Sequence, residues 1–436
     1  MAEHGDVLES LDLALRIGEV LLSSGAGAAD VAATMLGVTS ACGVRNVTAD
    51  VTFVDLTLRH QPRSDTPAAI QMRRVARRPV DYADLVEVDQ TVAGLVTGSI
   101  SRADARDTIA RIVSTGHRRQ RWAATVGWGV MGAGIALTLG GDSLVCLFAF
   151  VAACAIDGTQ LLLPAHRIPA FYQHAAGGLV VTLIAVSATT IPIEVNPSRV
   201  VTAGIVMLLA GVGLMGATQD ALTGFPLTAS ARFIDALLNT AGISAGVGAG
   251  LTVADLLGVG LDSFEPGAVG FAEQGAAVAG AAVAGAAFAF AAYAPLRSLA
   301  AAGLVAAIGQ AVLLTVGTPA VGRTWGSAVA AVTIGAACAL VAGRFRVPPL
   351  VVVIPALVPL LPGLDIYRGV ALLAEGRDGV LQLASAFATA LALAAGVILG
   401  QYFARPLKRE AHRLEIRLSG PRMVGPSRWA HRHDRR

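Results

Sequence analysis

The stretch LLAGVGLMGATQDALTG at residues 208–224 recurs as LLPGLDIYRGVALLAEG at residues 360–376. Identical residues keep one offset between the two copies: Leu208 and Leu360, Leu209 and Leu361, Gly211 and Gly363, Gly224 and Gly376. Pro197 and Pro349 keep the same offset upstream. Duplicated apolar segments that are interrupted by small residues at matching positions are typical of secondary transporters.

The composition indicates that these segments lie in a membrane. Hydrophobic residues make up 54% of the chain and charged residues only 14%, whereas soluble domains carry about 25% charged residues. Long apolar runs dominate from Trp122 to Phe403. We therefore expect four parts, namely a soluble α+β domain at 1–121, membrane repeats at 122–257 and 271–403, and a basic tail at 404–436.

The N-terminal domain is expected to combine helices with a small sheet. Apolar residues at helical spacing predict helices, and alternating apolar residues predict strands. The expected helices cover 8–24, 28–40, 81–98 and 102–114, and the expected strands cover 45–60 and 69–75. Ser101 and Asp104 fit a capping box at the start of the last helix.

Ten membrane spans can be drawn through the rest of the chain, over 122–140, 142–160, 173–192, 199–219, 228–256, 271–293, 297–316, 325–343, 347–374 and 381–403. Because no apolar segment precedes residue 122, the N-terminal domain is expected to stay in the cytoplasm. The basic tail places the C-terminus on the same side. The loop at 255–273 has four acids and no base, as expected of an outer loop.

An even number of spans in two similar halves gives five spans to each half. Because five is odd, the second half must enter the membrane in the opposite orientation to the first. The expected fold is therefore a mainly α polytopic protein of the cytoplasmic membrane, built from two five-helix inverted repeats. The substrate site is expected between the repeats, near the midplane of the membrane.

The two interruptions are the first candidates for that site. Pro362 and Gly363 interrupt the ninth span, and Gly211 follows Ala210 at the matching place in the fourth span. Proline removes a helical hydrogen bond and glycine loosens the backbone, so free backbone groups at such a place can hold an ion or a carboxylate. The alternative is a kink that only shapes the packing of helices.

Polar residues that follow the interruptions are the second candidates. A charge at the centre of a bilayer costs roughly 3 kcal/mol or more, so it is normally paired or functional. The candidates for substrate binding are Gln219, Asp220, Arg232, Asp235 and Asn239 in the first half and Asp365, Tyr367 and Arg368 in the second. The alternative places Asp220 and Arg232 in a cytoplasmic loop, and Asp365 and Arg368 near the outer face.

Two further polar residues lie inside expected spans. The amide of Gln310, deep in the seventh span, either forms a packing hydrogen bond or contacts the substrate. Asp157 either carries protons or caps a helix end. Asp220 and Asp235 are the other candidates for proton coupling.

Glycine spacing predicts close helix packing in both halves. Gly242, Gly246 and Gly250 are spaced four apart, and Gly396 and Gly400 repeat that spacing in the matching helix. Small residues at this spacing allow two helix backbones to approach each other in lipid.

Several classes of protein are excluded or disfavoured. Lys408 is the only lysine, so a phosphate-binding loop of the GxxxxGK[ST] type is absent and transport must draw on a gradient or a partner. The four cysteines are scattered, and no metal-binding, cofactor-binding or nucleic-acid-binding pattern is present.

The chain resembles the threonine/serine exporter family over nearly its whole length. The resemblance rests on IGEVLLSSGAGAADVAATM at 17–35 with CGVRNVTADVTFVDLTL at 42–58, on 208–224 with ARFIDALL at 231–238, and on PPLVVVIPALVPLLPGLDIYRG at 348–369. The first half departs from the Pro-Gly that is usual in the family, since it has Ala210-Gly211. The resemblance implies export of threonine and serine driven by the proton gradient.

The favoured hypothesis is a secondary-active exporter of small amino acids, and not an enzyme. Its expected partners are threonine, serine or similar metabolites, protons and membrane lipid, with a homo-oligomer as a further expectation. One alternative is a membrane-anchored hydrolase acting through residues 1–121, which the absence of a nucleophile–base pattern there disfavours. The other alternative is an uncoupled channel.

Overall fold

A computed structural model describes residues 2–416 except 64, 76–79, 115–119, 190–196, 209, 258–273, 319 and 375. The described residues form a mostly helical protein with one three-stranded sheet. The sheet belongs to the N-terminal region, which is residues 2–114, and long apolar helices make up the membrane part, which is residues 121–416. Most of the acidic loop at 255–273 and of the basic tail at 404–436 lies outside the described residues.

The N-terminal region packs four helices around an antiparallel sheet of order β1-β2-β3. Its elements are α1 (Ala2–Ser23), α2 (Ala28–Ala41), β1 (Val47–Val51), β2 (Asp55–His60), β3 (Ala69–Arg74), α3 (Tyr82–Val96) and α4 (Arg102–Ser114). The apolar stripe of α1 is buried against the sheet and α2, which confirms the helical interpretation of that stripe. Ser101 caps α4 as expected, since the backbone N–H of Asp104 donates to Ser101 Oγ at 3.1 Å. The Ser101 hydroxyl donates to the Asp104 carboxylate at 2.7 Å, so the pairing differs from the reciprocal backbone bonds of a full capping box.

The prediction of one strand over 45–60 was wrong, because a tight turn divides this segment into β1 and β2. The backbone N–H of Thr52 donates to the carbonyl oxygen of Asp55 at 2.9 Å, and the backbone N–H of Asp55 donates to Thr52 Oγ1 at 3.1 Å. The turn contains neither glycine nor proline. The alternation of side chains runs up to it without a break, so the pattern alone did not reveal the hairpin.

Asp89, on α3, gives a pH-dependent prediction for the N-terminal region. Burial raises its pKa to about 6. Because the folded protein holds the proton more tightly than the unfolded chain, stability should fall as the pH rises from about 4 to about 6 and then stay level. At pH 7, Asp89→Asn should therefore stabilise the full-length protein by about 1 kcal/mol after allowance for solvent screening.

Thermal unfolding from pH 4 to pH 8 checks this expectation. The gain of Asp89→Asn should vanish at the acidic end of the range. The matched control is Asp107→Asn on α4, an exposed carboxylate, which should change stability by less than about 0.5 kcal/mol. A gain for Asp89→Asn that does not depend on pH would contradict the explanation by burial.

The membrane part consists of α5 (Arg121–Thr138), α6 (Ser143–Ala165), α7 (Ala170–Thr189), α8 (Pro197–Met207), α9 (Ala210–Leu222), α10 (Pro226–Leu256), α11 (Gln274–Ala291), α12 (Leu296–Val316), α13 (Arg323–Phe345), α14 (Leu350–Leu357), a 3-10 turn (Val358–Leu360), α15 (Gly363–Ala374) and α16 (Val380–Ile416). Within the described residues, eight segments are long and apolar enough to cross a membrane, with α8 and α9 counted together. The bent pair α14–α15 makes nine. This is the architecture of a multi-pass membrane protein.

The first of the ten expected spans corresponds to α5, which is not among these nine segments. This helix is long enough to cross a bilayer, but it contains Arg121, two tryptophans and four glycines. These residues keep its mean hydropathy below that of the segments counted as spans.

Helix contacts follow the same pattern in the two halves of the membrane part. In the first half, α5 contacts α6, α6 contacts α7, α7 contacts α10, and α9 contacts α10. In the second half, the matching contacts are α11 with α12, α12 with α13, α13 with α16, and α15 with α16. The halves meet where α5 lies on α11, α9 on α16, and α10 on α15.

The predicted glycine seams are confirmed. A Cβ atom at Gly246 of α10 would lie only 1.9 Å from the carbonyl oxygen of Ala175 on α7. A Cβ atom at Gly400 of α16 would lie 2.1 Å from the carbonyl oxygen of Val332 on α13. Both close approaches between helices therefore depend on the missing side chains of glycine.

Candidate functional site

The two interrupted helices touch each other at their interruptions. A Cβ atom at Gly211, near the start of α9, would lie 2.9 Å from the Cβ of Leu361 and 3.2 Å from the backbone nitrogen of Gly363. In the second half, the chain bends by 49° between the 3-10 turn and α15. The predicted interruption at Pro362–Gly363 is thus confirmed. In the first half, α8 ends at Met207 and α9 begins at Ala210, with residue 209 outside the described part. Glycine allows the two backbones to meet because a side chain at position 211 would separate them.

The first turns of α9 and α15 therefore lie next to each other. The first N–H groups of a helix have no partner within it and carry a partial positive charge. Pro362 has no backbone N–H, but its carbonyl oxygen accepts from Ile366 at 3.1 Å, which begins the hydrogen bonding of α15. Two adjacent helix starts are a suitable environment for a carboxylate. We call this place the break contact and define it by Gly211, Leu361, Pro362 and Gly363.

Several sequence candidates are close to the break contact. Asp365 is in the first turn of α15, followed by the buried Tyr367 and the half-buried Arg368. Gln310 on α12 is 6% exposed, and its Oε1 accepts no hydrogen bond from any described residue. The neighbouring Gly309 packs toward Leu360 of the 3-10 turn. This places Gln310 on α12 at the level of the second interruption.

Asp220 and Arg232 form a second group at the other end of α9. Nine residues of helix separate Gly211 from Asp220, which corresponds to about 14 Å. Asp220 is 0% exposed, and its Oδ2 lies 3.2 Å from Nε of Arg232, which is 13% exposed. The structure therefore does not bring this ion pair together with the break contact.

The α1–α2 loop of the N-terminal region, residues 24–27, covers this ion pair. The backbone N–H of Ala28 donates to Asp220 Oδ1 at 2.8 Å, and Arg232 Nη2 donates to the carbonyl oxygen of Ala26 at 3.2 Å. A Cβ atom at Gly27 would lie 3.3 Å from Nε2 of Gln219, so the loop fits closely. Sequence reasoning missed these partners because 192 residues separate Ala28 from Asp220.

A second carboxylate lies close to the same ion pair. Asp30, in the first turn of α2, opens to solvent. Partial burial, and secondarily the negative charge of Asp220, raise the pKa of Asp30 above its ordinary value. The carboxylates of Asp30 and Asp220 are therefore close enough to repel each other.

The other acidic candidates, Asp235 and Asp157, have hydrogen-bond partners of their own. Asp235 accepts a hydrogen bond from Asn239 Nδ2 at 3.0 Å, one turn away on α10. Asp157 is 5% exposed, forms an ion pair with Arg121 and accepts from Thr125 Oγ1 at 2.7 Å. Asp157 lies inside α6, so the interpretation as a helix cap was wrong.

The sequence is similar to known protein families over most of its length. The family model "Putative threonine/serine exporter" matches residues 12–254, and the model "Threonine/Serine exporter, ThrE" matches residues 277–403. The chain belongs to the threonine/serine exporter family. The resemblance inferred from the motifs is thus confirmed.

Two curated relatives are similar to this member of the exporter family over almost its whole length. The "Probable threonine/serine exporter" of Mycobacterium tuberculosis (strain ATCC 25618 / H37Rv) is 37% identical over 422 residues, which cover 94% of this chain and 80% of the relative. The "Threonine/serine exporter" of Corynebacterium glutamicum is 35% identical over 417 residues, which cover 94% of this chain and 85% of the relative. No solved structure matches the chain.

An apolar cavity in this exporter-family chain lies where the two halves meet. It is lined by Leu214, Phe233, Ala236, Leu237, Ile366, Leu383, Ala386 and Phe387. Its walls come from α9 and α10 of the first half and α15 and α16 of the second. Among the described residues, no group of three or more His, Cys, Asp or Glu side chains is arranged to hold a metal ion.

Proposed function

We propose that the protein is a secondary-active exporter that carries threonine and serine out through the cytoplasmic membrane, with proton uptake as the driving step. The similarity of 94% of the chain to proteins named threonine/serine exporters carries this proposal. Transport explains why two interrupted helices meet inside a bundle of apolar helices. No observation on the described residues favours a hydrolase or an uncoupled channel.

The two halves are proposed to be inverted five-helix repeats, with α5 as the first of ten spans and both termini in the cytoplasm. The support is the matching set of helix contacts in the two halves and the crossed pairs α9–α16 and α10–α15. Exposed aromatic side chains at helix ends, including Trp122 on α5 and Trp325 on α13, are suited to the membrane interface. Lipid contact and self-association are further proposals.

The break contact is the proposed binding site for the transported amino acid. The starts of α9 and α15 and the guanidinium of Arg368 would attract its carboxylate, and Asp365 would attract its ammonium. Gln310 and Tyr367 would offer polar groups to the side-chain hydroxyl. A threonine or serine molecule has a group of each kind.

The proposed coupling uses aspartates that are paired with arginines. Asp220 faces Arg232 and Asp157 faces Arg121. Both pairs join two helices of the first half. When a movement of helices within that half separates such a pair, the aspartate must take up a proton or another cation, because an unpaired charge in a low-dielectric site is costly. Asp235, hydrogen-bonded to Asn239, is the third candidate.

Efflux from proteoliposomes loaded with labelled threonine tests the proposal. With the interior at pH 8 and the exterior at pH 6, efflux should be at least tenfold faster than without a gradient, and empty liposomes should show none. Folded, reconstituted protein that gives no efflux under either condition would overturn the proposed substrate. Efflux that ignores the gradient would overturn proton coupling alone.

A further inference from the structure

The α1–α2 loop presents a hydrogen-bond donor and an acceptor to one buried ion pair. The N–H of Ala28 faces the Asp220 carboxylate at 2.8 Å, and the carbonyl oxygen of Ala26 faces the Arg232 guanidinium at 3.2 Å. A helix start alone does not make a binding site, but here Asp220 is completely buried and points at it. Asp220 Oδ2 accepts no hydrogen bond from the described residues and is neutralised only by the nearby charge of Arg232.

The groups of this loop correspond in type to those of an α-amino acid. A zwitterionic amino acid has an ammonium that donates hydrogen bonds and a carboxylate that accepts them, only a few ångströms apart. Its ammonium would replace the N–H of Ala28 at Asp220, and its carboxylate would replace the carbonyl oxygen of Ala26 at Arg232. Both replacements exchange a neutral partner for a charged one, which makes the stronger hydrogen bond. Asp30 adds a second carboxylate on the side of the ammonium.

The N-terminal region also contacts both halves of the membrane part. Thr228 Oγ1 of α10 donates to the carbonyl oxygen of Val51 at 2.9 Å, beside the covered ion pair. In the other half, the N–H of Tyr82 donates to the carbonyl oxygen of Ala292 at 2.9 Å, and the Tyr82 ring packs near Phe288. A region bound to both halves restricts their relative movement until one of its contacts is released.

We propose that the α1–α2 loop is a gate that occupies the Asp220–Arg232 pair in place of a zwitterionic amino acid. A cytoplasmic amino acid competes for these two side chains, displaces the loop and frees the first half of the membrane part to move. The identity of the amino acid as threonine or serine rests on the proposed function. The competition itself requires only an ammonium and a carboxylate on one small molecule.

Accessibility of a cysteine in the loop tests the gate. Gly27 is buried and has a φ of −67°, so Gly27→Cys is compatible with the backbone. In full-length protein whose four native cysteines are replaced by alanine, saturating L-threonine should raise the rate of maleimide labelling at position 27 at least fivefold. N-acetylthreonine and threonine methyl ester each lack one of the two charges and should leave the rate unchanged.

The matched control is Gly37→Cys on α2, the helix that follows the loop, where nothing lies within 4 Å of an added Cβ. Its labelling rate should be the same with and without threonine. Because Gly27→Cys can disturb the loop, hydrogen exchange on the unmodified protein provides a second measurement. Exchange in peptides covering residues 24–31 should accelerate at least fivefold with threonine, while peptides from α4 stay unchanged.

The outcomes separate the gate from the exporter. Unchanged labelling and unchanged exchange in protein that exports threonine would overturn the gate and leave the proposed function standing. Accelerated labelling and exchange in protein that gives no efflux would support the gate and overturn export. Acceleration by the singly charged analogues as well would overturn competition for the ion pair.

Discussion

Gly246→Val is expected to prevent the membrane part from folding, because it places a branched side chain in the seam between α7 and α10. Its Cβ would lie 1.9 Å from the carbonyl oxygen of Ala175, which belongs to the backbone and cannot rotate away. The helices must separate, and the cost should be at least about 3 kcal/mol. Thermal unfolding and the yield of monodisperse protein in detergent measure the effect.

The matched control for this substitution is Gly248→Val on the same helix. Nothing lies within 4 Å of an added Cβ at Gly248, so the control shares the change in helix propensity but not the clash. Gly400→Val should behave like Gly246→Val because its Cβ would meet Val332 in the equivalent seam. Similar stability of the Gly246 and Gly248 variants would show that α7 and α10 are not packed this closely.

Asp220→Asn is expected to abolish pH-dependent export while the protein is still made and inserted. Asparagine has nearly the same shape and keeps an oxygen that can accept from the N–H of Ala28, but it has no charge to neutralise Arg232. Removing the charge of one partner of a buried ion pair costs about 3 kcal/mol or more. Here the cost falls on the conformation in which residue 220 faces Arg232. Threonine efflux with and without a pH gradient should therefore lose its dependence on the gradient.

The control for this charge removal is Asp142→Asn. Asp142 also accepts a hydrogen bond from a backbone N–H, that of Val145 at 2.8 Å, but it does so as the cap of α6. Asparagine caps helices as well as aspartate does, so export should be retained. Full pH-dependent export by the Asp220 variant would remove Asp220 from the mechanism.

Features that depend on neighbours in the sequence could be predicted. The interruptions at Gly211 and at Pro362–Gly363, and the small-residue seams at Gly246 and Gly400, follow from local backbone chemistry and periodicity. The hairpin turn between Thr52 and Asp55 could not be predicted in this way, because it contains neither glycine nor proline and is closed by a backbone hydrogen bond and the Thr52 hydroxyl.

Features that depend on distant partners could not be predicted. The candidates on α9 lie close together in the sequence and were expected to share one site. In the structure, the length of the helix separates Gly211 from Asp220. The backbone donor to Asp220, the N–H of Ala28, lies in the N-terminal region, and Asp157 meets Arg121 through the packing of α5 on α6. One sequence carries no pattern for such contacts, since each requires the folded arrangement of helices.

The side chains that α3 contributes to the membrane part determine how the N-terminal region can be studied. Tyr82, Leu85 and Val86 belong to the same buried cluster as Phe288 of α11. A chain shortened to begin near residue 120 would expose that apolar surface and leave Asp220 without the N–H of Ala28. Activity lost by such a truncated chain would report damage to the helices as well as the missing region, so single substitutions in the intact chain are the informative comparison.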